Sequence, residues 1–361
     1  DYKTIHSHFK LNGDTVTITT LKEKARFFVK EGVAFEKEIG QFLLEWLKDS
    51  PNLQAKTSGS TGAPKPIVLQ KQAMVNSAVA TGAYFNLKPG STALLCLPAT
   101  YIAGKMMLVR AMVLGLEIDC VSPQSEVVFN TNTVYDFAAM VPMQLLKTSH
   151  KLQNIKQLIV GGAPVSNSLL DKIQTVKTTV YETYGMTETV SHIAVKKLNN
   201  LRGTNSITGL NTAHLSFEVL PNISISQDKR ACLVIEASQL LENTIVTNDI
   251  VELQSETTFK WLGRFDNVIN SGGIKIHPEQ IEATLKRHIH TRFFIASEVD
   301  DRLGNALILV IEGNKITLEP SVFEALENYK KPKAVYFIDA FAETSSGKIQ
   351  RQKTLALVKK L

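Results

Sequence analysis

The chain has 361 residues, of which 44% are hydrophobic and 20% charged. That balance belongs to an ordinary globular protein and excludes a disordered tail, a collagen-like fibre and a disulfide scaffold. Lys and Arg outnumber Asp and Glu by 40 to 34, with the signs interspersed, which suits small anionic ligands rather than the clustered basic face of a nucleic-acid binder.

Taken in chain order, residues 34–48 carry Phe35, Ile39, Phe42, Leu43, Trp46 and Leu47 at helical spacing and predict an amphipathic helix. Further helices are expected at 72–85 and 103–114. Strands are expected at 66–69, 92–97, 117–121, 157–160 and 178–182. This alternation implies a mostly parallel sheet with helices on its faces. Between 213 and 262 the pattern becomes short strands alone, at 215–220, 231–237, 250–253 and 259–262, which reads as a β-rich subdomain. After Gly263 it changes again: helices at 278–287 and 321–327, strands at 293–299, 306–312 and 334–338. The expectation is an α/β protein of two domains. Residues 1–265 form a large domain of mixed sheets with flanking helices and the β-rich subdomain; residues 266–361 form a small, mobile α+β domain. Cys96, Cys120 and Cys232 are widely spaced, which argues against a zinc site and for a reducing, cytoplasmic setting. No 18-residue apolar run is present to span a membrane, and Asp1 does not open a basic-then-apolar leader.

Five short runs carry chemistry. Thr57-Ser58-Gly59-Ser60-Thr61-Gly62-Ala63-Pro64-Lys65 combines glycines, hydroxyls and a lysine, the composition of a backbone nest for phosphate. A Ser/Gly linker would share the composition but not the apolar strand that follows. Pro64 and Pro66 prevent the Gly-Lys-Ser/Thr helix opening of a Walker loop. Tyr184-Gly185-Met186-Thr187-Glu188-Thr189 follows a strand, where open α/β sheets place ligands in the next loop. Tyr184 offers a flat face for a base, and Thr187 and Glu188 offer hard oxygens for Mg²⁺. The remaining runs are Thr247-Asn248-Asp249, Gly263-Arg264-Phe265-Asp266 with Ser271-Gly272-Gly273, and Ser345-Ser346-Gly347-Lys348. Alone, each of these three is an ordinary turn, hairpin or solvated loop.

In this order the five resemble the motifs of the adenylate-forming superfamily of acyl-CoA synthetases, adenylation domains and luciferases. The resemblance runs from about residue 55 to the end. Asn248 departs from it, since the family usually has glycine there. So does the start of the chain, because the 56 residues before the phosphate run are far fewer than is usual; part of the N-terminal sheet is expected to be reduced. The run from Tyr184 to Ala194, with Leu97-Pro98-Ala99-Thr100-Tyr101-Ile102-Ala103-Gly104, resembles the branch that ligates CoA to o-succinylbenzoate in menaquinone biosynthesis.

The resemblance implies ATP, Mg²⁺ and CoA as reactants and cofactors, a small carboxylic acid as substrate, no nucleic-acid partner, and a monomer or homodimer. It implies that Thr57, Ser58, Gly59, Ser60, Thr61, Gly62 and Lys65 hold the β- and γ-phosphates, Glu188 the metal and Thr187 the α-phosphate. Gly161, Gly162, Ala163 and Pro164 would line the adenine, with Tyr184 and Gly185. Asp249 and Arg264 would hold the ribose, Lys348 would bridge the acid and the α-phosphate, and Asp266 would be the hinge. Gly272 and Gly273 would line the CoA channel. For the acid, Tyr101, Ile102, Ala103, Gly104, Met106, Met186, His192 and Ile193 would form an apolar slot. Lys105 would be its counter-charge, with Arg110 second. The alternatives are a solvated Lys105, the same chemistry on another aryl or fatty acid, loading of a carrier protein, and a non-catalytic nucleotide-binding relative.

Overall fold

The computed structural model describes residues 1–56, 66–163, 165–200, 216–241, 243–343 and 349–358. The chain opens with two short strands, β1 (Lys10–Leu11) and β2 (Asp14–Thr15), then helices α1 (Ile18–Glu31) and α2 (Ala34–Trp46), and strands β3 (Asn52–Lys56) and β4 (Pro66–Gln70). There follow α3 (Lys71–Phe85), β5 (Thr92–Leu95), α4 (Ile102–Leu114), β6 (Glu117–Cys120), β7 (Tyr135–Met140), α5 (Pro142–Thr148), β8 (Ile155–Val160), α6 (Asn167–Ile173) and β9 (Thr179–Gly185). The β-rich stretch is β10 (His192–Lys197), β11 (Phe217–Val219), β12 (Ser224–Gln227), β13 (Cys232–Glu236), β14 (Ile245–Leu253) and β15 (Thr258–Arg264). The last stretch is β16 (Ile269–Ser271), β17 (Ile274–Ile276), α7 (Pro278–Leu285), β18 (Phe293–Asp300), β19 (Gly304–Glu312), β20 (Ala334–Ile338) and α8 (Arg351–Val358).

One sheet runs through most of the molecule, in the order β12-β13-β14-β15-β11-β10-β9-β8-β7-β5-β6-β1-β2. From β9 through β8, β7, β5 and β6 to β1 every pairing is parallel. From β9 through β10 to β12 every pairing is antiparallel. The parallel half is buried on both faces, so its strands carry apolar residues without interruption. Ala93, Leu95, Phe137 and Ala139 face a cluster built with α1 to α4, and Leu94, Cys96, Ala138 and Met140 face one built with α5 and α6. The antiparallel half packs a third cluster around Phe217, Ile235 and Phe259. β18, β19 and β20 form a separate sheet whose faces carry two further clusters, around Leu307 and Leu309 and around Ile308 and Val310.

Helix α1 was not expected from the sequence. Thr17 caps it, with Thr17 and Thr20 exchanging side-chain and backbone hydrogen bonds, and Leu21, Ala25 and Phe28 face inward. The signal was present as a capping residue followed by apolar positions at helical spacing. β7 and β10 were also missed. The expected helix at 321–327 is instead a single 3₁₀ turn at Pro320–Phe323. Lys71 is wholly buried at the start of α3, where its ammonium donates to the carbonyls of Trp46 and Lys48, both at 2.7 Å. It satisfies otherwise unpaired acceptors at the end of α2.

Candidate active site

The sheet changes from parallel to antiparallel pairing at β9, and the segment joining β9 to β10 forms the centre of the candidate site. The sequence reading put Tyr184 and Gly185 in a loop; they are the last residues of β9, and only Thr187–Thr189 form a turn, of 3₁₀ type. Val190 then takes φ 68°, ψ −49°, and Ser191 N–H donates to Thr189 O at 2.7 Å. This is a γ-turn of the strained hand, on a buried β-branched residue that ordinarily avoids positive φ. Opposite it, a Cβ on Gly185 would lie 2.4 Å from Ser191 O, so only glycine lets the two strands approach this closely. A bulge follows at the start of β10. His192 lies toward Arg110 and Phe85, whereas Ile193 and Ala194 enter the cluster of the antiparallel half.

A buried carboxylate stands on one side of this segment. Asp249 on β14 accepts from Tyr184 Oη at 2.7 Å and from Trp261 Nε1 at 3.2 Å, and lies 3.5 Å from Arg264 Nη1. Burial, then Asp249, pushes the Tyr184 phenol far up, so it stays a donor. Its ring packs against Phe217 and Phe259. Val160 pairs with Glu182, which brings Gly161 and Gly162 out beside Thr183 and Tyr184. Beyond Arg264, Asp266 accepts from Asn248 Nδ2 at 3.3 Å and from Arg264 Nη2 at 3.4 Å. Asn248 Oδ1 in turn accepts from Arg230 Nη1 at 3.0 Å, and that guanidinium lies 5.0 Å from the Phe265 ring centre. The adenine, ribose and hinge candidates thus form one connected strip. The sequence reading found its carboxylate but missed Trp261, Arg230 and the linking role of Asn248.

On the other side lies a buried cation. Arg110 on α4 is 2% exposed. Its Nε donates to Thr81 Oγ1 at 3.3 Å and its Nη2 to Ser191 Oγ at 2.7 Å, with His192 Nδ1 at 3.4 Å and Met107 Sδ 3.7 Å from Nη1. All of these are neutral. Burial pushes the guanidinium down to about 9, which leaves it charged at neutral pH. Burial, then Arg110, holds His192 well below the usual imidazole range, so His192 is uncharged. Thr81 and Ser191 went unread as site residues because hydroxyls in an Ala-rich helix and beside a turn carry no pattern.

Lys105, the expected counter-charge, is neither solvated nor part of this group. It is buried, donates to Gln54 O at 3.3 Å and lies 5.7 Å from the Phe42 ring centre. Five residues along α4 rotate Arg110 by roughly 140° from Lys105, which explains why one reaches α2 and β3 and the other reaches β10. The expected apolar slot is likewise not a single feature. Met106 is wholly buried under α1 to α4 and Ile193 under the antiparallel half. Tyr101 is exposed at the start of α4, Ala103 is exposed, and Ile102 and Met186 are half-buried.

Thr187 is buried and Glu188 exposed. A carboxylate beside a hydroxyl, reachable from solvent, fits Mg²⁺, which takes one or two carboxylates together with substrate phosphates. Among the described residues no group of three His, Cys, Asp or Glu is placed to hold a metal. Thr57, Ser58, Gly59, Ser60, Thr61, Gly62 and Lys65, with Pro164 and Lys348, lie outside the described residues. Lys56 and Pro66, which bracket the phosphate run, are paired across β3 and β4. Past Lys348, Arg351 is anchored to Glu282 of α7 at 2.9 Å and to Ile295 O at 3.2 Å. Gly272 and Gly273 form the turn of the β16–β17 hairpin, at φ 57° and 81°, conformations that favour glycine.

A family of AMP-binding enzymes matches residues 49–222. The structure of an acyl-CoA synthetase (AMP-forming)/AMP-acid ligase II-like protein from Dyadobacter fermentans is 36% identical. That match covers 93% of this chain and 98% of the other, with a TM-score of 0.61. The chain belongs to the AMP-binding enzyme family. The 2-succinylbenzoate–CoA ligase of Bacillus cytotoxicus is 25% identical over 335 residues, 84% of this chain and 69% of that protein. The o-succinylbenzoate CoA synthetase of Bacillus subtilis, in complex with its acyl-adenylate intermediate, shares the fold. It is 20% identical with a TM-score of 0.69, over 83% of this chain and 68% of that one. As in these AMP-binding enzymes, the fold is a mixed α/β architecture around a large sheet. Among the described residues no helix is long and apolar enough to cross a membrane.

Proposed function

We propose that this AMP-binding enzyme is an ATP-dependent acid–CoA ligase whose substrate is an aromatic dicarboxylic acid, o-succinylbenzoate, in menaquinone biosynthesis. The observation that carries the choice of acid is Arg110: a buried guanidinium whose partners among the described residues are all neutral, beside the β9–β10 segment. Taking such a charge out of water costs several kcal/mol unless an anion answers it. A substrate with a second carboxylate supplies that anion, while its first carboxylate is left to react.

In the proposed reaction the reacting carboxylate attacks the α-phosphorus of ATP and pyrophosphate leaves. Asp249 and Arg264 orient the ribose, Gly161, Gly162, Ala163 and Pro164 border the adenine with Tyr184 and Gly185, and the run from Thr57 to Lys65 donates to the β- and γ-phosphates. Lys348 would neutralise charge growing between the acid and the α-phosphate. Mg²⁺ held at Glu188, with Thr187 beside it, would screen the phosphates. The thiol of CoA then attacks the acyl-adenylate and AMP leaves. We place the boundary of a small mobile domain at 265/266, with Asp266 as hinge. Turning about it would exchange Lys348 for the Gly272–Gly273 hairpin beside the CoA path. The five hydrophobic clusters support this division, because two of them draw on residues from Ile269 onward alone. The proposal includes a monomer or homodimer in the cytoplasm, which the unbridged cysteines support.

A panel of acids scored by pyrophosphate release, with and without CoA, tests the reading. o-Succinylbenzoate is expected to support thioester formation far better than benzoate or palmitate. Equal activity with palmitate would remove the diacid assignment and favour the same chemistry on a fatty acid.

A further inference from the structure

The hinge proposed at Asp266 is gripped by a side chain that the family pattern does not supply. Upstream of it, Arg264 pairs with Asp249 at the end of the β14–β15 ladder. Downstream, Asn267 Nδ2 donates to Glu279 Oε1 of α7 at 2.6 Å. Phe265 and Asp266 alone lie between these two anchors. Asp249 points inward to Tyr184 and Trp261, so its neighbour Asn248 leaves the opposite face of β14, toward residues 265 and 266. Glycine, the family's usual residue there, has no side chain to reach with. Asn248 is itself held by Arg230, in the turn between β12 and β13. Asp228 fixes that turn by accepting from the backbone N–H groups of Arg230 and Cys232 at 2.8 and 2.9 Å, and it aims the guanidinium by accepting from its Nε at 2.8 Å. The fork then donates to Asn248 Oδ1 at 3.0 Å and to Thr247 O at 3.2 Å, and its face lies 5.0 Å from the Phe265 ring centre. A guanidinium can only donate, so it fixes which way the amide of Asn248 faces. Asn248 Nδ2 is left to donate outward, and it meets Asp266 Oδ2 at 3.3 Å, where Arg264 Nη2 arrives at 3.4 Å. The bonds that hold Arg230 and Asn248 are short, whereas those to Asp266 are long and exposed, which makes a rigid jaw with a releasable end.

We propose that Asn248, oriented by Arg230, is a positioning residue that clamps Asp266 and holds the small domain in the orientation of this structure. This rests on the proposed mobile-domain reading and gives its hinge a defined catch. Turning about Asp266 parts its carboxylate from Asn248 while Arg230, Asp228 and Asn248 stay assembled. A long, exposed hydrogen bond is worth about three- to tenfold in an equilibrium, enough to bias the hinge without locking it.

Spin labels on Val128→Cys and Val299→Cys, at positions 65% and 84% exposed, report the orientation as a distance distribution. Cys120→Ala removes the half-buried thiol that would compete for label. This labelled parent is measured first, alone, with ATP and Mg²⁺, and with AMP and CoA. One unchanged distance throughout would overturn the mobile-domain reading itself, and that result appears before any hinge variant is made. With two distances, the readout is the ratio of the second population to the first in the absence of ligands. Asn248→Gly removes the clamp, and Arg230→Met leaves the amide unheld; each should raise the ratio about three- to tenfold. Asn248→Asp keeps the acceptor for Arg230 but sets an anion against Asp266, and should raise the ratio at least as far as Asn248→Gly. Adding Asp266→Asn to Asn248→Asp exchanges donor and acceptor across the same gap. The ratio should then fall back by at least about threefold, a rescue that loss of local structure would not give. A ratio unmoved in any of the three single variants, or one that the exchange leaves as high as in Asn248→Asp, overturns the clamp.

Discussion

Two buried charges flank the β9–β10 segment, and they are treated in opposite ways. Asp249 is answered by the protein: a phenol, an indole and a guanidinium surround it. Arg110 is answered by a thioether, two hydroxyls and an imidazole, none charged. On the proposed function, the difference separates a carboxylate already satisfied by the protein from a cation that a substrate anion would answer. A saturated carboxylate stabilises the fold and offers an already oriented acceptor. A buried cation whose partners among the described residues are all neutral makes the fold less stable than it would otherwise be, a cost that the proposed substrate anion would recover on binding.

The largest effect is expected where the two sides must act on one molecule. Lys348→Ala should lower acyl-adenylate formation by about 10²–10³-fold, the usual loss of a donor to a developing charge. It should still convert supplied acyl-adenylate and CoA to thioester. Single-turnover pyrophosphate release measures the first step, and full release by the variant would mean that the two sites do not meet at Lys348.

The contrast itself is broken or upheld by removing each charge in turn. Arg110→Met should leave the unfolding midpoint unchanged or raise it, because an apolar side chain replaces an unanswered buried ion. Its kcat/KM for the diacid should drop by about 10²-fold. Asp249→Leu should do the reverse to stability, by at least about 1–3 kcal/mol, since buried donors on Tyr184 and Trp261 lose their acceptor. It should weaken ATP binding as well. Thermal unfolding and steady-state kinetics check both, and equal destabilisation by the two substitutions would erase the distinction.

A smaller effect comes from pH. His192 is held well below the usual 6.5 by burial and by Arg110, so the unfolded chain takes up this proton first as pH falls. The contribution to stability is complete above about 6.5 and is lost as pH falls from there toward the depressed folded value. The unfolding midpoint of the parent should therefore fall more steeply between pH 7 and pH 5 than that of His192→Gln. Parallel slopes would show that His192 titrates normally.

Much of the architecture was legible because apolar periodicity is a local property. α2, α3, α4 and β20 were read within a residue or two. α1 was overlooked because its inward face is narrow, with one buried residue per turn among polar ones. β10 escaped because its first residues belong to a motif read for chemistry. The site was legible in part. Asp249, Arg264 and Tyr184 are brought together, whereas Lys105 was placed ahead of Arg110 as the counter-charge. Which face of α4 each occupies is decided by tertiary packing. Thr81 on α3 and Ser191 in the segment joining β9 to β10 are 29 and 81 residues away from Arg110, and no local pattern announces such distances.

The strained turn at Val190 and the bulge after it bear on how this segment can change over generations. Side chains along a strand alternate between faces, and a shift of one residue exchanges them all. Here the turn and bulge together send His192 to the helices and Ile193 and Ala194 to the opposite core. A single-residue insertion or deletion between Gly185 and Ala194 would put an imidazole into an apolar cluster and leave Arg110 facing an aliphatic side chain. A point substitution here leaves the pattern of facing intact, whereas a change in length disrupts it. If His192 lines the acid pocket, as the family resemblance implies, substrate preference would be altered by which residue stands at 192 and not by the number of residues that precede it.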